Sequence, residues 1–166
     1  VSAMNAAKAI ERGVKIAAPE AETVLVPVAD GGDGTLDALI DCTGGKVFKS
    51  IVTGPLGHYL EAQWGVMGDG QTAVIEMALA SGLALVPPKS RDPRITTTRG
   101  TGEIIKEALD RGFNRIIVGL GGSATNDAGA GMAEALGARF LDSQGGNLDQ
   151  GGSALAHLAA IDISKV

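Results

Sequence analysis

The sequence predicts an α/β fold in which parallel strands are followed by a mixed sheet. Two segments follow the order strand, glycine-rich loop and helix, which is typical of parallel α/β sheets, and they cover residues 23–43 and 115–136. Between them, two apolar runs are separated by residues 68–71 (GDGQ), which indicates an antiparallel hairpin. We therefore expect the chain to contribute to two α/β units.

The first part of the chain is predicted to hold an amphipathic helix, a buried strand and a short helix. Apolar residues recur at helical spacing across residues 3–17. Residues 23–28 (TVLVPV) are rich in β-branched residues and predict a buried strand. The short helix contains Leu36 and ends at Gly44.

The second part of the chain is predicted to be a mixed unit. Because a hairpin is antiparallel, we place the change of domain close to Gly54, so that residues 1–53 and 54–166 belong to different units. Gly112 is expected to end a helix. The elements predicted beyond Gly54 are strands at 60–67 and 72–77, a helical turn at 78–83, a loop at 87–93, a helix at 101–111, a strand at 115–120, a helix at 126–136 and a strand at 139–141.

Composition narrows the classes of function. The net charge is −5 and aromatic residues make up 3% of the chain, which argues against a nucleic-acid interface, because that needs a basic face and stacking side chains. A single cysteine excludes an internal disulfide, and no cysteine–histidine cluster offers a zinc site. No apolar run has the length of a transmembrane helix, and no signal-peptide pattern opens the chain. We expect a cytoplasmic protein with no nucleic-acid or membrane partner.

A glycine-rich loop at residues 119–127 (GLGGSATND) lies between a predicted strand and a predicted helix. Such a loop offers backbone N–H groups and the positive end of a helix dipole, which suit a phosphate or a carboxylate. The alternative is a structural turn in which Asn126 or Asp127 caps the helix. The spacing matches neither a Walker A loop nor a dinucleotide-binding fingerprint. The candidate ligand-binding residues of this loop are Gly121, Gly122, Ser123, Thr125, Asn126 and Asp127.

A second glycine loop, at residues 30–35 (DGGDGT), follows the first predicted strand. Open α/β sheets bind ligands at the carboxyl ends of their strands, so Asp30 is a candidate general base or magnesium ligand. The alternative is that Asp33 and Thr35 only cap the next helix. The candidate substrate-binding or phosphate-binding residues here are Gly31 and Gly32.

A third segment, residues 96–103 (TTTRGTGE), combines threonines, an arginine and glycines at a predicted helix start. This combination is typical of an anion clamp, and the alternative is a capped helix with exposed threonines. Three such loops in one chain favour a small-ligand site over a structural protein. The candidates in this segment are Thr98, Arg99, Gly100 and Thr101.

These three loops, in this order, resemble those of the bacterial two-domain glycerate kinases, and the match covers nearly the whole chain. The run GGSATND at residues 121–127 is long and unusual, which argues against chance agreement. Two departures are Asp33, where the family usually has glutamate, and Ala128, where it usually has glycine. The other matching motifs are VADGG (28–32), VTGPLG (52–57), TAVIEMA (72–78), SGL (81–83), GTGE (100–103) and IDIS (161–164).

The resemblance implies ATP-dependent phosphorylation of glycerate, generally on its 2-hydroxyl group, with magnesium. It also implies a Rossmann-like domain that is made from both chain ends and carries an inserted α/β domain. Residues 1–53 are then part of the Rossmann-like domain and residues 54–166 part of the inserted mixed α/β domain. The family's opening strand and roughly its C-terminal half have no counterpart in this sequence, so we expect a piece of the enzyme that is inactive alone.

Asp30 and Asp127 are the catalytic candidates under this resemblance. Either carboxylate would orient or deprotonate the glycerate hydroxyl, or hold magnesium, and the sequence leaves the choice open. The implied partners are glycerate and ATP, and a homodimer is an open alternative to a monomer. Two other interpretations are a small-molecule kinase of another family and a ligand-binding or assembly module without turnover.

Overall fold

A computed structural model describes residues 2–166. The chain forms α-helices, β-strands and short 3-10 helices in alternation. The α-helices are α1 (Ala3–Ala17), α2 (Thr35–Thr43), α3 (Ala78–Ser81), α4 (Arg99–Asp110) and α5 (Ala130–Ala135), the strands are β1 (Lys46–Thr53), β2 (Tyr59–Val66), β3 (Thr72–Glu76), β4 (Arg115–Gly119), β5 (Arg139–Leu141) and β6 (Ala160–Asp162), and the 3-10 helices are Leu83–Leu85, Pro88–Ser90 and Gly152–His157.

Strands β1 to β4 form one mixed sheet in the order β1-β2-β3-β4. Strand β2 pairs antiparallel with both β1 and β3, and β4 pairs parallel with β3, with Glu76 opposite Gly119. The parallel pair is joined by a connection that contains α3 and α4, as parallel strands require. The predicted hairpin, the predicted strand at 115–120 and the mixed α/β class are confirmed.

Strand β1 was missed by the sequence analysis. Its residues (KVFKSIVT) alternate exposed and buried only in part, and two lysines interrupt the apolar pattern. The strand nevertheless pairs with β2 along its whole length, from Lys46 opposite Val66 to Thr53 opposite Tyr59. The mixed sheet therefore begins at Lys46, and the division of the chain between residues 53 and 54 stays a prediction.

Two predicted elements differ from the structure. Residues 23–28 belong to no strand among the described residues, because a strand exists only where a neighbour completes its hydrogen bonds, and no such neighbour lies beside this segment. The helix predicted at 126–136 begins only at Ala130, because Ala128 and Gly129 have positive φ angles of 51° and 76° that a right-handed helix does not accommodate.

The core lies between the mixed sheet and α4. Trp64 is fully buried, and its Nε1 donates a 2.9 Å hydrogen bond to Ser50 Oγ. Helix α4 lies so close to β1 that a Cβ atom added at Gly100 would stand 2.1 Å from the carbonyl oxygen of Thr53. This close packing sets the start of α4 beside the end of the sheet.

A second, smaller sheet lies beyond α5 in the chain. Strand β5, predicted from the sequence, pairs with β6 in an antiparallel two-stranded sheet. Ile161 and Ile163, in the apolar tail, are 55% and 68% exposed. None of the helices in residues 2–166 has the length and apolarity needed to cross a membrane.

Candidate active site

A pocket of about 290 Å³ lies where the start of α4, the loop after β4 and the start of α5 meet. Six of the residues predicted as ligand-binding or catalytic line it. Its other walls are apolar or backbone surfaces. The lining residues are Met77, Thr98, Thr101, Leu120, Ser123, Thr125, Asn126, Asp127, Ala128, Gly129 and Met132.

Asp127 is the buried centre of this pocket, with 1% of its surface exposed. Its Oδ2 accepts hydrogen bonds from the backbone N–H and the hydroxyl of Thr98, at 2.9 and 2.8 Å, and from the N–H of Gly131 at 3.2 Å. Its Oδ1 accepts from the N–H of Gly129 at 3.2 Å. The carboxylate therefore connects the start of α4 to the start of α5, and its four donors stabilise the negative charge.

The threonines of residues 96–101 are buried rather than exposed. Thr98 Oγ1 both donates to Asp127 and accepts from the N–H of Met132 at 2.9 Å. Thr96 Oγ1 donates to the carbonyl oxygen of Ala124 at 2.8 Å. The alternative of a capped helix with exposed threonines is wrong, because these hydroxyl groups hold the loops around the pocket together.

The loop after β4 supplies the polar donors of the pocket. The backbone N–H groups of Thr125, Asn126 and Ala128 donate no hydrogen bond to any acceptor among residues 2–166. Asn126 is exposed, and the Ser123 hydroxyl donates to the carbonyl oxygen of Leu120 at 2.9 Å. A run of free N–H groups next to hydroxyl and amide side chains suits a phosphate or a carboxylate.

The two predicted glycine loops are in direct backbone contact. The N–H of Gly121 donates to the carbonyl oxygen of Gly31 at 2.6 Å. A Cβ atom added at Gly121 would stand 2.5 Å from the Cα of Gly32, so a larger residue would separate the loops. Asp30 is exposed, and its Oδ1 accepts from the N–H of Gly32 at 2.9 Å. The structure thus places the loop of Asp30 beside the loop that lines the pocket.

Glu76, at the end of β3, was not among the predicted site residues. Its side chain is 2% exposed, and it accepts hydrogen bonds from the N–H groups of Gly34 at 3.2 Å and Leu36 at 3.0 Å. The signal in the sequence was an acidic residue that closes an apolar strand, which a core position tolerates only with partners. Glu76 attaches the start of α2 to the sheet.

Arg99 and Gly100 lie outside the pocket. Arg99 Nε is 3.2 Å from Glu103 Oε1, and its Nη1 is 3.7 Å from Glu134 Oε2. Burial raises the pKa of the Glu134 carboxyl, the nearby Arg99 opposes this and Asp127 adds to it. Gly100 serves the close packing of α4 on β1. The predicted role of both residues in anion binding stays a prediction.

Over residues 1–166 the sequence matches the Glycerate kinase family. The chain belongs to this family. It is 58% identical over 164 residues to a glycerate kinase of Bacillus subtilis (strain 168), and 55% identical over 164 residues to a glycerate 2-kinase of Escherichia coli (strain K12). Each match covers 99% of this chain and 43% of the relative, so the chain spans less than half the length of these curated relatives.

A solved structure supports the same assignment to the glycerate kinase family. This crystal structure, described as glycerate kinase 2 from Salmonella typhimurium LT2, superposes with a TM-score of 0.86 at 53% sequence identity. The match covers 100% of this chain and 45% of that one. The interpretation as a kinase of another family is therefore wrong.

Ala128 lines the pocket at the position where the resemblance leads us to expect glycine. Among residues 2–166 it is the only non-glycine residue with a positive φ angle, 51°. Glycine adopts this left-handed conformation without the steric penalty that a Cβ atom brings. The loop therefore keeps the backbone conformation suited to glycine although the residue is alanine.

Proposed function

We propose that the full-length protein transfers the γ-phosphoryl group of ATP to a hydroxyl group of glycerate. In line with the resemblance, this would be the 2-hydroxyl group. Membership of the glycerate kinase family over the whole chain carries this proposal. The pocket supports it, because it combines free N–H donors with hydroxyl and amide side chains, as an anionic substrate needs. Phosphoryl transfer asks the protein mainly to position its substrates and neutralise charge.

In this proposal, the two catalytic carboxylates do different work. Asp127 is buried, and all four of its hydrogen bonds come from the starts of α4 and α5, so it would hold the pocket wall with its charge close to the reacting groups. Asp30 is exposed and Gly32 is its one hydrogen-bond donor among residues 2–166, so its carboxylate is free to meet the glycerate hydroxyl. A general base has to be within hydrogen-bond reach of the proton it removes.

The anion groups of the substrates would bind along the loop after β4. The backbone N–H groups of Thr125 and Asn126 are donors that suit the glycerate carboxylate or a phosphate, and the Ser123 hydroxyl would join them by turning its proton away from Leu120. Gly121 and Gly122 would let the ligand approach the main chain, with Gly31 and Gly32 on the opposite loop. Thr98 and Thr101 complete the wall.

Magnesium enters this proposal as the partner of ATP. No group of three or more histidine, cysteine, aspartate or glutamate side chains that could hold a metal is found within residues 2–166. Magnesium commonly uses one or two carboxylates together with substrate phosphates and water, and the exposed carboxylate of Asp30 fits this mode. The ion would neutralise phosphate charge. The cytoplasmic location, the exclusion of nucleic-acid and membrane partners, and a homodimer stay predictions.

The test is an assay of the full-length protein with ATP, magnesium and each enantiomer of glycerate. We expect ADP formation that depends on glycerate, and phosphorus NMR of the product should distinguish 2-phosphoglycerate from 3-phosphoglycerate. Other small hydroxy acids serve as controls. A protein that hydrolyses or transfers phosphate equally well without glycerate would contradict the proposal.

A further inference from the structure

The buried carboxylate of Glu76 holds the start of α2, which is far from it in sequence. It accepts hydrogen bonds from the N–H groups of Gly34 and Leu36, which lie 42 and 40 residues before it. The first N–H groups of a helix have no partner within the helix, so Glu76 supplies the acceptors that α2 lacks at its start. A carboxylate near this end of a helix is also favoured by the helix dipole.

Three contacts hold the loop of Asp30 within residues 2–166. Its C-terminal side is held by Glu76 and by Thr35, whose Oγ1 accepts from the N–H of Gly31 at 3.0 Å. The third attachment is the hydrogen bond from Gly121 to Gly31.

Glu76 also stands on an interior strand of the sheet. Strand β3 has paired neighbours on both sides, β2 and β4, and Glu76 lies opposite Gly119, at the end of β4. The N–H of Met77, the next residue, donates to the carbonyl oxygen of Gly119 at 3.0 Å. One residue is therefore fixed relative to the pocket loop and at the same time bonded to the Asp30 loop.

We propose that Glu76 is a positioning residue for phosphoryl transfer, which acts by setting where the Asp30 carboxylate stands relative to the pocket. The inference rests on the proposed function, in which Asp30 meets the substrate hydroxyl. Glu76 itself touches no substrate, since it is buried under the start of α2. Its carboxylate is suited to the task because it accepts from both N–H groups, whereas an amide would turn a donor toward one of them.

The test is a double-mutant cycle of Glu76→Gln and Asp30→Asn in the full-length protein. A displacement of about 1 Å in a catalytic group costs roughly 100-fold in rate, so Glu76→Gln should lower kcat by roughly 10- to 100-fold. The KM values for ATP and glycerate should change far less. In the Asp30→Asn background, Glu76→Gln should produce no further loss, because the group that it positions is already disabled.

Asp69→Asn is the matched control. Asp69 stands just before β3 and accepts hydrogen bonds from the N–H groups of Gln71 and Thr72, both at 2.9 Å, so it caps the other end of the same strand. None of its hydrogen bonds within residues 2–166 reaches the Asp30 loop. Its substitution should leave kcat unchanged, even if the midpoint temperature of thermal unfolding changes.

A second pair of variants covers the case in which Glu76→Gln fails to fold. Thr35→Val removes the acceptor for the N–H of Gly31, whereas Thr35→Ser keeps it. If the position of the loop matters, Thr35→Val lowers kcat, whereas Thr35→Ser keeps it near the wild-type value. In the Asp30→Asn background, Thr35→Val should cause no further loss of kcat.

Three results separate the possible failures. An active wild type with unchanged kcat in Glu76→Gln would overturn the positioning role. Losses that multiply in the double variant would overturn it as well, because they show action independent of Asp30. A wild type without glycerate-dependent turnover would instead refute the proposed function on which the inference rests.

Discussion

Residues 23–28 and strand β3 have similar apolar sequences but very different environments. Val24 and Val28 are 86% and 76% exposed, whereas Val74 and Ile75 are fully buried. Strand β3 has a neighbour on each side, Val74 packs with residues of α2, and Ile75 belongs to the cluster that includes α4. The comparison shows that an apolar pattern produces a strand only where neighbouring strands and covering helices are present.

The two proposed catalytic carboxylates also differ in how strongly their surroundings enclose them. Asp30 comes directly after the exposed segment and has one hydrogen-bond donor within residues 2–166, whereas Asp127 is enclosed by four. The well-packed region thus provides a fixed wall. The loop after residues 23–28 provides an exposed carboxylate, and Thr35, Glu76 and Gly121 contact this loop.

The largest expected effect is on the buried carboxylate. Asp127→Asn in the full-length protein should lower kcat by at least about 100-fold, because the charge near the reacting groups is lost and an amide donor faces backbone N–H groups. Steady-state kinetics below the unfolding temperature measure this change, and Asp69→Asn is the control. Near-normal turnover would remove Asp127 from the mechanism.

The comparison of the two apolar segments is tested directly by paired truncations in the 166-residue chain. Val74→Ala should lower the free energy of unfolding by about 2 kcal/mol, because two methyl groups lose their buried contacts. Val24→Ala should change it by less than about 0.5 kcal/mol, because the side chain is exposed. Denaturant unfolding measures both values. Equal losses would show that residues 23–28 are packed in solution.

The contact between the two glycine loops gives a third prediction. Gly121→Ala should destabilise the chain by about 1–3 kcal/mol, because its Cβ meets the backbone of Gly32 and the loops have to separate. Gly13→Ala is the matched control in α1, where a Cβ atom meets nothing within 4 Å. It should stabilise by about 0.5–1 kcal/mol through helix propensity. Calorimetry that shows the two variants equally stable would contradict the close contact.

The smallest effect is expected at the strained residue of the pocket. Ala128→Gly should stabilise the chain by about 0.5–1 kcal/mol, because relief of the left-handed conformation outweighs the extra entropy of glycine in the unfolded state. Thermal unfolding measures the shift. A loss of stability in this variant would indicate that the methyl group makes packing contacts worth more than the strain.

Local sequence patterns predicted much of this fold and part of the site. The hairpin, the strand before residue 120 and the helix that ends at Gly44 all follow from short-range signals, and the structure contains each of them. Strand β1 was missed because its stability comes from pairing with β2 rather than from its own composition. Helix α5 was predicted too long because its alanines favour a helix, whereas the backbone of residues 128–129 does not.

Sequence alone determined the motifs of this protein, the mixed α/β class and the family that these motifs indicated. Only the tertiary structure decided the partners of its buried carboxylates, because Asp127 meets Thr98 across 29 residues and Glu76 meets Gly34 across 42. It also decided that Arg99 pairs with carboxylates outside the pocket and that residues 23–28 form no strand. The physical reason is that charge pairing and strand formation depend on neighbours brought together by folding, which local patterns do not encode.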